Sequence, residues 1–272
     1  FIRQRHRELA RHRLYPFRLL LDSEDGEVFE AADLVLDCSG VLDMPGFIGP
    51  GGLPALGEAD VDAIIHRRVP DILGEDRDDF ADRHTLVVGA GMSAALSLDL
   101  LLKLKVRSPK TTVSWATREG SAPYVRIDGD PLPSRDALAV LGNKLAAGDP
   151  RVTWHGGCSV RAIERTADGF EVTFERENGR EVRGVFDEVI ANVGYRPNTA
   201  LFEELQVHQC YASQAPMKLA AALLAEQGAG GDCLTQTARG VEVLRSPEPD
   251  FFVLGAKSYG RQSHFLLRVG YE

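Results

Sequence analysis

The sequence is short of several things, and each shortage narrows what the chain does. It has four cysteines in 272 residues (Cys38, Cys158, Cys210 and Cys233), with no C-x-x-C pair and no Cys/His cluster at metal spacing. Neither a disulfide framework nor a metal centre is expected, and reduced thiols in a cytoplasmic protein are the default. No run of about 18 apolar residues exists, so no membrane span is expected. Positive charge is the scarcer sign: 31 Lys and Arg against 40 Asp and Glu leave a net charge of −9. That excess argues against a general nucleic-acid or acidic-membrane binder. The chain opens on Phe1 and shows no signal-peptide pattern.

What is present is an ordinary globular composition, 44% hydrophobic and 26% charged, in a chain long enough for a large core and for two domains. The rest is organised around Thr85 to Leu104. Thr85 to Val88 is a short β-branched, apolar run of the kind buried on both faces of a parallel sheet. It ends in Gly89-Ala90-Gly91-Met92-Ser93-Ala94, and the apolar segment from Ala95 to Leu104 reads as a helix. Strand, glycine turn and helix together give the spacing G-x-G-x-x-A of a dinucleotide site. Gly89 allows the sharp turn, Gly91 allows the backbone close to a diphosphate, and Ala94 keeps the helix tight on the strand. The first-turn N–H groups, Met92 and Ser93 among them, face the ligand with the positive end of the helix dipole behind them, and Ser93 offers a hydroxyl donor. The alternative is a glycine turn that joins strand to helix and binds nothing.

A repeat frames this stretch. Phe17 to Asp22 reads as a strand, Ser23-Glu24-Asp25-Gly26 as a turn, Glu27 to Glu30 as the return strand, and Asp33 to Asp37 as a buried strand ending in Cys38-Ser39-Gly40. The same order recurs in Phe170 to Arg176, Asn178-Gly179, Arg180 to Val185, and Asp187 to Ala191 ending in Asn192-Val193-Gly194. Gly40 follows Phe17 by 23 positions and Gly194 follows Phe170 by 24. The second copy closes a domain whose glycine turn lies 105 positions before Gly194. By analogy, the first copy closes another nucleotide domain whose turn would lie about 65 residues upstream of Phe1. The sequence therefore reads as a fragment lacking the front of its first domain.

This order of parts resembles flavoproteins with two dinucleotide-binding domains, the group of the pyridine nucleotide-disulfide oxidoreductases and flavin-containing monooxygenases. There, an FAD domain is interrupted by an inserted NAD(P)H domain, and a strand ending in an Ala-Thr-Gly-like turn marks each crossing. Cys38-Ser39-Gly40 and Asn192-Val193-Gly194 stand in those places, and Tyr195-Arg196-Pro197-Asn198 follows the second as in the family. The resemblance implies an α/β fold, a Rossmann-like NAD(P) domain inserted into a partial FAD domain of the same type. Its expected division is 1–58 for the first FAD segment and linker, 59–199 for the NAD(P) domain and 200–272 for the return segment. It implies an FAD- and NADP-dependent oxidoreductase acting on a small-molecule substrate, with room for a homodimer. Gly40, Gly194 and Gly255 would lie near the cofactors.

Coenzyme choice falls at the end of the second strand, Thr111 to Ala116, which runs into Thr117-Arg118. An arginine fork suits a phosphate monoester, and Arg126 offers a second cation, so NADP is expected over NAD. Glu119 keeps NAD open, because a one-residue change of register brings a carboxylate to the ribose. Arg118 as a plain surface charge is the third reading.

Other features carry two readings each. The Gly/Pro-rich stretch from Leu42 to Gly57 is a linker or a loop beside the flavin. His66 is structural or catalytic, with the structural reading favoured for want of a positioned partner. The basic opening from Phe1 to Arg18 is a solvated surface or an anion site. Ala137 to Ala147 reads as a helix, Val152 to His155 as the third parallel strand, and Ser159 to Val185 as a meander over the sheet. Pro216 to Glu226 reads as a helix capped by Ser213 and ended by Gly228 to Gly231. Pro249 to Gly255 reads as a strand.

In the family, the strand matching Pro249 to Gly255 ends in Gly-Asp, whose aspartate holds the flavin. Here Ala256 and Lys257 follow Gly255, so that contact is missing. Lys257, Arg261 and a helix from Ser263 are candidates to face the flavin instead. Cys210 and Cys233 read as inert thiols. The thioredoxin-reductase type would carry a cysteine pair in its inserted domain, and none is there. That tilts the expectation to a monooxygenase-like enzyme. A disulfide reductase with its pair further upstream, and an NADP sensor without turnover, are the alternatives. No catalytic residue is assigned.

Overall fold

In a computed structural model of the chain, the described residues are 2–3, 15–130, 132–227 and 239–261. The chain divides into two compact units, Phe1–Pro45 with Tyr195–Glu272, and Gly46–Gly194. Most of the basic opening, Cys233, the glycines at 228–231 and the helix expected from Ser263 lie outside the described residues.

The second unit is built on a four-stranded parallel sheet in the order β11-β5-β6-β7, from β5 (His84–Val88), β6 (Thr112–Ala116), β7 (Thr153–His155) and β11 (Glu188–Ala191). Alternation along β5 sorts its side chains: Val87 enters one core, Leu86 and Val88 the other. The Val87 side is covered by α3 (Met92–Arg107) and α4 (Pro133–Ala146), whose Ala95, Leu98, Leu101 and Ala139 are buried there. The opposite side is covered by the antiparallel meander of β8 (Cys158–Thr166), β9 (Gly169–Arg176) and β10 (Glu181–Phe186), whose Val172, Phe174 and Phe186 fill the second core. Both helices are longer than the sequence expectation. α3 starts at Met92 directly after Gly91, and α4 starts with a proline whose missing N–H costs nothing in a first turn. Two one-turn helices, α1 (Glu58–Val61) and α2 (Arg77–Phe80), precede β5.

The first unit repeats the local pattern. β1 (Ile2–Arg3), β2 (Phe17–Ser23) and β3 (Gly26–Ala32) form an antiparallel sheet, and β4 (Val35–Asp37) pairs in parallel with β12 (Phe251–Val253). α5 (Met217–Gln227) packs Leu219 and Leu223 against Tyr259. The strand expected to be buried from Asp33 is shorter and barer than its composition suggests, with Leu34 and Leu36 both more than half exposed. A strand is buried only as far as its neighbours cover it, and β12 is the one strand paired with β4 among the described residues. Ser213 does not cap α5: it lies four positions before the helix, and its hydroxyl bonds the Cys210 thiol and receives the Ala215 N–H.

Candidate functional site

The turn after β5 is fixed by two different glycine requirements. Gly89 has φ +131°, and a Cβ there would fall 2.2 Å from the Asn192 carbonyl oxygen, so only glycine fits. Its N–H donates to Ala116 O at 3.1 Å, which ties the end of β5 to the end of β6. Gly91 has an ordinary extended backbone (φ −87°, ψ 174°), and a Cβ would meet nothing within 4 Å. Among the described residues, nothing requires a glycine at 91.

Past it, α3 runs for 16 residues with Met92 and Ser93 exposed, Ala94 buried against the sheet, and Lys105 and Arg107 in the last turn. The N–H groups of Ala90, Gly91, Met92, Ser93 and Ala94 have no acceptor among the described residues. Unpaired donors, a dipole and an open space thus coincide at one point. Asn192, at the end of β11, accepts from Ser97 Oγ at 2.7 Å and holds α3 to the sheet.

The loop after β6 carries the expected selectivity residues. Thr117 is buried; its Oγ1 donates to Glu119 O (2.7 Å) and accepts from Trp154 Nε1 (3.0 Å). Arg118 and Glu119 are exposed. Arg126, expected as a second cation, forms a two-point ion pair with Asp136 (2.8 and 3.0 Å). That bond holds the Asp136 carboxyl below and the Arg126 guanidinium above their usual ranges. Among the described residues, Arg118 is therefore the exposed cation of this loop without a carboxylate across it.

Two aromatic residues that sequence reasoning passed over complete the turn. Trp115 Nε1 donates to Gly89 O at 2.7 Å and the Tyr124 hydroxyl donates to Gly91 O at 3.2 Å. A tryptophan inside a buried strand reads as core, which hides this role. A tyrosine alone in a polar, turn-rich stretch is the signal that was there to be read.

At the crossing, Gly194 (φ +85°) follows β11, and its carbonyl accepts the Gly46 N–H at 2.8 Å. The Gly/Pro-rich stretch that begins there is held by buried Glu58, whose carboxylate accepts from Ile48 N–H (3.1 Å), Ala55 N–H (2.7 Å) and Arg67 (2.8 Å). His66 has partners after all: its Nε2 lies 3.2 Å from Glu188 Oε2 and its ring 5.0 Å from that of Phe80.

In the first unit, Gly40 (φ +74°) and Gly255 (φ +65°) follow the carboxyl ends of adjacent parallel strands, β4 and β12. Their glycine identity is explained by the left-handed backbone alone. Lys257 is 1% exposed, with its Nζ 2.7 Å from Asp37 Oδ2 and 3.0 Å from Ser39 Oγ; the Ser39 hydroxyl donates to Asp37 Oδ1 at 2.7 Å. The ammonium is neutralised inside the unit, 5.3 Å from the Phe202 ring, and Arg261 donates to Gln214 Oε1. Both cations expected near a flavin are thus engaged by the chain itself.

Cys158, the single cysteine of the second unit, is buried, and burial pushes its thiol up to about 11. Cys38 is exposed. The Ser213 hydroxyl and N–H draw the Cys210 thiol below its usual value. Among the described residues, no cluster of His, Cys, Asp or Glu is placed to hold a metal ion, and no helix is long and apolar enough to cross a membrane.

Neither a protein-family model nor a curated protein matches the sequence. Solved structures do match. A bacillithiol disulfide reductase from Bacillus cereus overlays with TM-score 0.64 at 16% identity, over 94% of this chain and 63% of that one. A thioredoxin reductase from T. acidophilum gives 0.57 at 14%, over 93% and 66%. An L-lysine 6-monooxygenase from Pseudomonas syringae gives 0.50 at 17%, over 74% and 54%. The chain has their α/β fold. It spans less than two thirds of the length of each.

Proposed function

We propose that the chain is part of an oxidoreductase that binds NADPH at the Gly89–Ala94 turn and works with FAD. One observation carries the coenzyme reading. Gly91 has no conformational or steric reason to be glycine, yet it sits beside unpaired N–H groups at the mouth of a 16-residue helix, in front of open space. A diphosphate filling that space supplies the missing reason, because it needs close backbone approach and N–H donors.

In this reading Ala90 to Ser93 hold the diphosphate and Ala94 sets the helix against the sheet. Arg118, exposed beside the ribose position at the end of β6, pairs with a 2′-phosphate, which makes NADPH the preferred form over NADH. The coenzyme, when bound, supplies hydride; the chain's part is to fix its diphosphate and its ribose.

The flavin reading rests on the shared fold and on the repeat, with Gly40 and Gly255 at the carboxyl ends of β4 and β12, where open α/β sheets bind ligands. It is weaker than the coenzyme reading, because Lys257 is committed to Asp37. A monooxygenase-like reaction of the reduced flavin is the finer proposal. Its support is that the second unit holds one cysteine, buried and with a raised pKa, so no dithiol chemistry is available there. A small-molecule substrate, and a homodimer as the assembly, belong to the same proposal.

The deciding experiment is titration of the protein with NADPH and NADH by calorimetry, on wild type and Arg118→Ala. NADPH binding to wild type, with a loss of about tenfold or more in R118A and little change for NADH, is expected. No binding of either coenzyme would overturn the assignment, and an equal loss for both would remove Arg118 from coenzyme choice. Bleaching of a copurified flavin by NADPH tests the second cofactor.

A further inference from the structure

We infer that Trp115 and Tyr124 are positioning residues that aim the donors of the diphosphate turn, an inference that rests on the coenzyme reading above. The argument begins with the peptide plane. In a trans peptide the C=O of one residue and the N–H of the next point in opposite directions, so fixing one fixes the other. Trp115 Nε1 holds Gly89 O at 2.7 Å, and the next N–H is that of Ala90. The Tyr124 hydroxyl donates to Gly91 O at 3.2 Å, adding to the Ala95 N–H of α3 that reaches the same oxygen at 3.1 Å, and the next N–H is that of Met92, first in α3. Ala90 and Met92 are two of the donors that lack an acceptor among the described residues. Trp115 therefore draws one carbonyl back into the protein and turns a donor out, and Tyr124 does the same for the second together with the first hydrogen bond of α3. Each also keeps the negative end of that peptide away from an anion.

The two side chains are built in for the purpose. Trp115 is 0% exposed and stacks on Tyr124, centroids 6.3 Å apart and planes within 15°. Tyr124 is buried although its neighbours Val125 and Arg126 are exposed. Its backbone is held at both ends by one side chain of α4: Asn143 Oδ1 accepts the Tyr124 N–H (3.0 Å), and Asn143 Nδ2 donates to Tyr124 O (2.7 Å). Gly142 makes the room, since a Cβ there would fall 2.2 Å from the tyrosine ring. A buried glycine inside a helix costs stability relative to alanine, and the ring it admits is the return. On the other side, Trp115 packs against Trp154, whose Nε1 donates to the Thr117 hydroxyl. The row Tyr124–Trp115–Trp154 thus underlies both the diphosphate turn and the loop that faces the ribose.

Tyr124→Phe keeps the ring, the stack and the fit to Gly142 while deleting the hydroxyl. In the full chain, the NADPH Kd is expected to rise about five- to tenfold, as for one lost hydrogen bond. The Kd for adenosine 2′-monophosphate, which has the ribose phosphate but no diphosphate, should stay within about twofold. Trp115→Phe, which deletes the Nε1 donor, should show the same split and serves as the second test if Y124F does not fold. A merely structural role would lower the melting temperature and weaken both ligands alike, and that result would overturn the inference. Unchanged NADPH affinity in a variant whose wild type binds NADPH sinks this inference alone; a wild type that binds no NADPH sinks the coenzyme reading and this with it.

Discussion

The same local design occurs twice in this molecule and meets two different environments. β2–β3–β4 and β9–β10–β11 are each a hairpin followed by a strand ending in a left-handed glycine, Gly40 or Gly194, and each hairpin has a third antiparallel strand beside it, β1 or β8. In the second unit the hairpin is core: Phe170, Val172, Phe174 and Phe186 are buried over the sheet. In the first unit Phe17, which matches Phe170, is buried too, but the rest of the hairpin faces out: Leu21, which matches Phe174, and Val28 are more than 40% exposed and Phe29 is 76% exposed. Hairpin register comes from turn residues and pleat, and both copies have them. Burial comes from what lies on top, which a hairpin cannot encode alone.

The largest test of that contrast is aromatic truncation in each copy. Phe174 stacks on His155 (centroids 4.9 Å) and meets Phe186 edge-on (6.1 Å) in a closed core. Phe174→Ala should cost about 3–5 kcal/mol of the stability of the second unit. Phe29→Ala should stay within about 0.5 kcal/mol. Both tryptophans, Trp115 and Trp154, belong to the second unit, so a urea titration followed by their fluorescence reads the F174A effect, while hydrogen exchange of the β2 and β3 amides reads the F29A effect in the first unit. A loss for F29A equal to that for F174A would mean that the first hairpin is covered in solution after all.

The contrast also marks what the sequence could and could not reveal. β5, the glycine turn, α3 and both hairpins were legible because each is written in a short period: alternation, a turn glycine, an apolar helix face. The depth of β4 was not, since Val35-Leu36 has the composition of a buried strand while its exposure depends on neighbouring strands. The Gly89–Ala94 turn between β5 and α3 was legible from its spacing, and the coenzyme it would hold is a proposal. The engagement of Arg126 by Asp136 and of Lys257 by Asp37 joins residues 10 and 220 positions apart, and no local pattern signals such pairs. Trp115 and Tyr124 were hidden for another reason: an aromatic donor to a backbone carbonyl has the same residue type as ordinary core.

A smaller effect should be the same in both copies. Gly40 (φ +74°) and Gly194 (φ +85°) lie in left-handed backbone with open space where a Cβ would be. Substitution by alanine then costs only the backbone strain, about 1–2 kcal/mol at either position. Hydrogen exchange of the β4 and β11 amides in G40A and G194A should show matched local losses. A much larger loss at Gly194 would show that the repeat is not equivalent at its end.

The smallest effect belongs to the second unit alone, because its hairpin lies over two histidines. His155 stacks on Phe174 and His84 meets Phe186 edge-on (4.8 Å), with His84 Nε2 3.0 Å from Ser114 Oγ. Burial lowers both imidazoles below 6.5. For His84, the charge of Asp187 and the Val185 backbone pull the other way; for His155, Arg176 and His84 itself add to the lowering. The folded unit therefore refuses protons that the unfolded chain accepts once pH falls through 6.5, so stability is full above that value and declines below it. The urea midpoint read by tryptophan fluorescence should fall between about pH 7.5 and 5.5, and His155→Gln should flatten that fall. Both imidazoles are only half-buried, so the change should be smaller than either substitution effect above. A midpoint that rises on acidification would mean that the two rings are held protonated in the folded unit, and that the meander rests on them as cations.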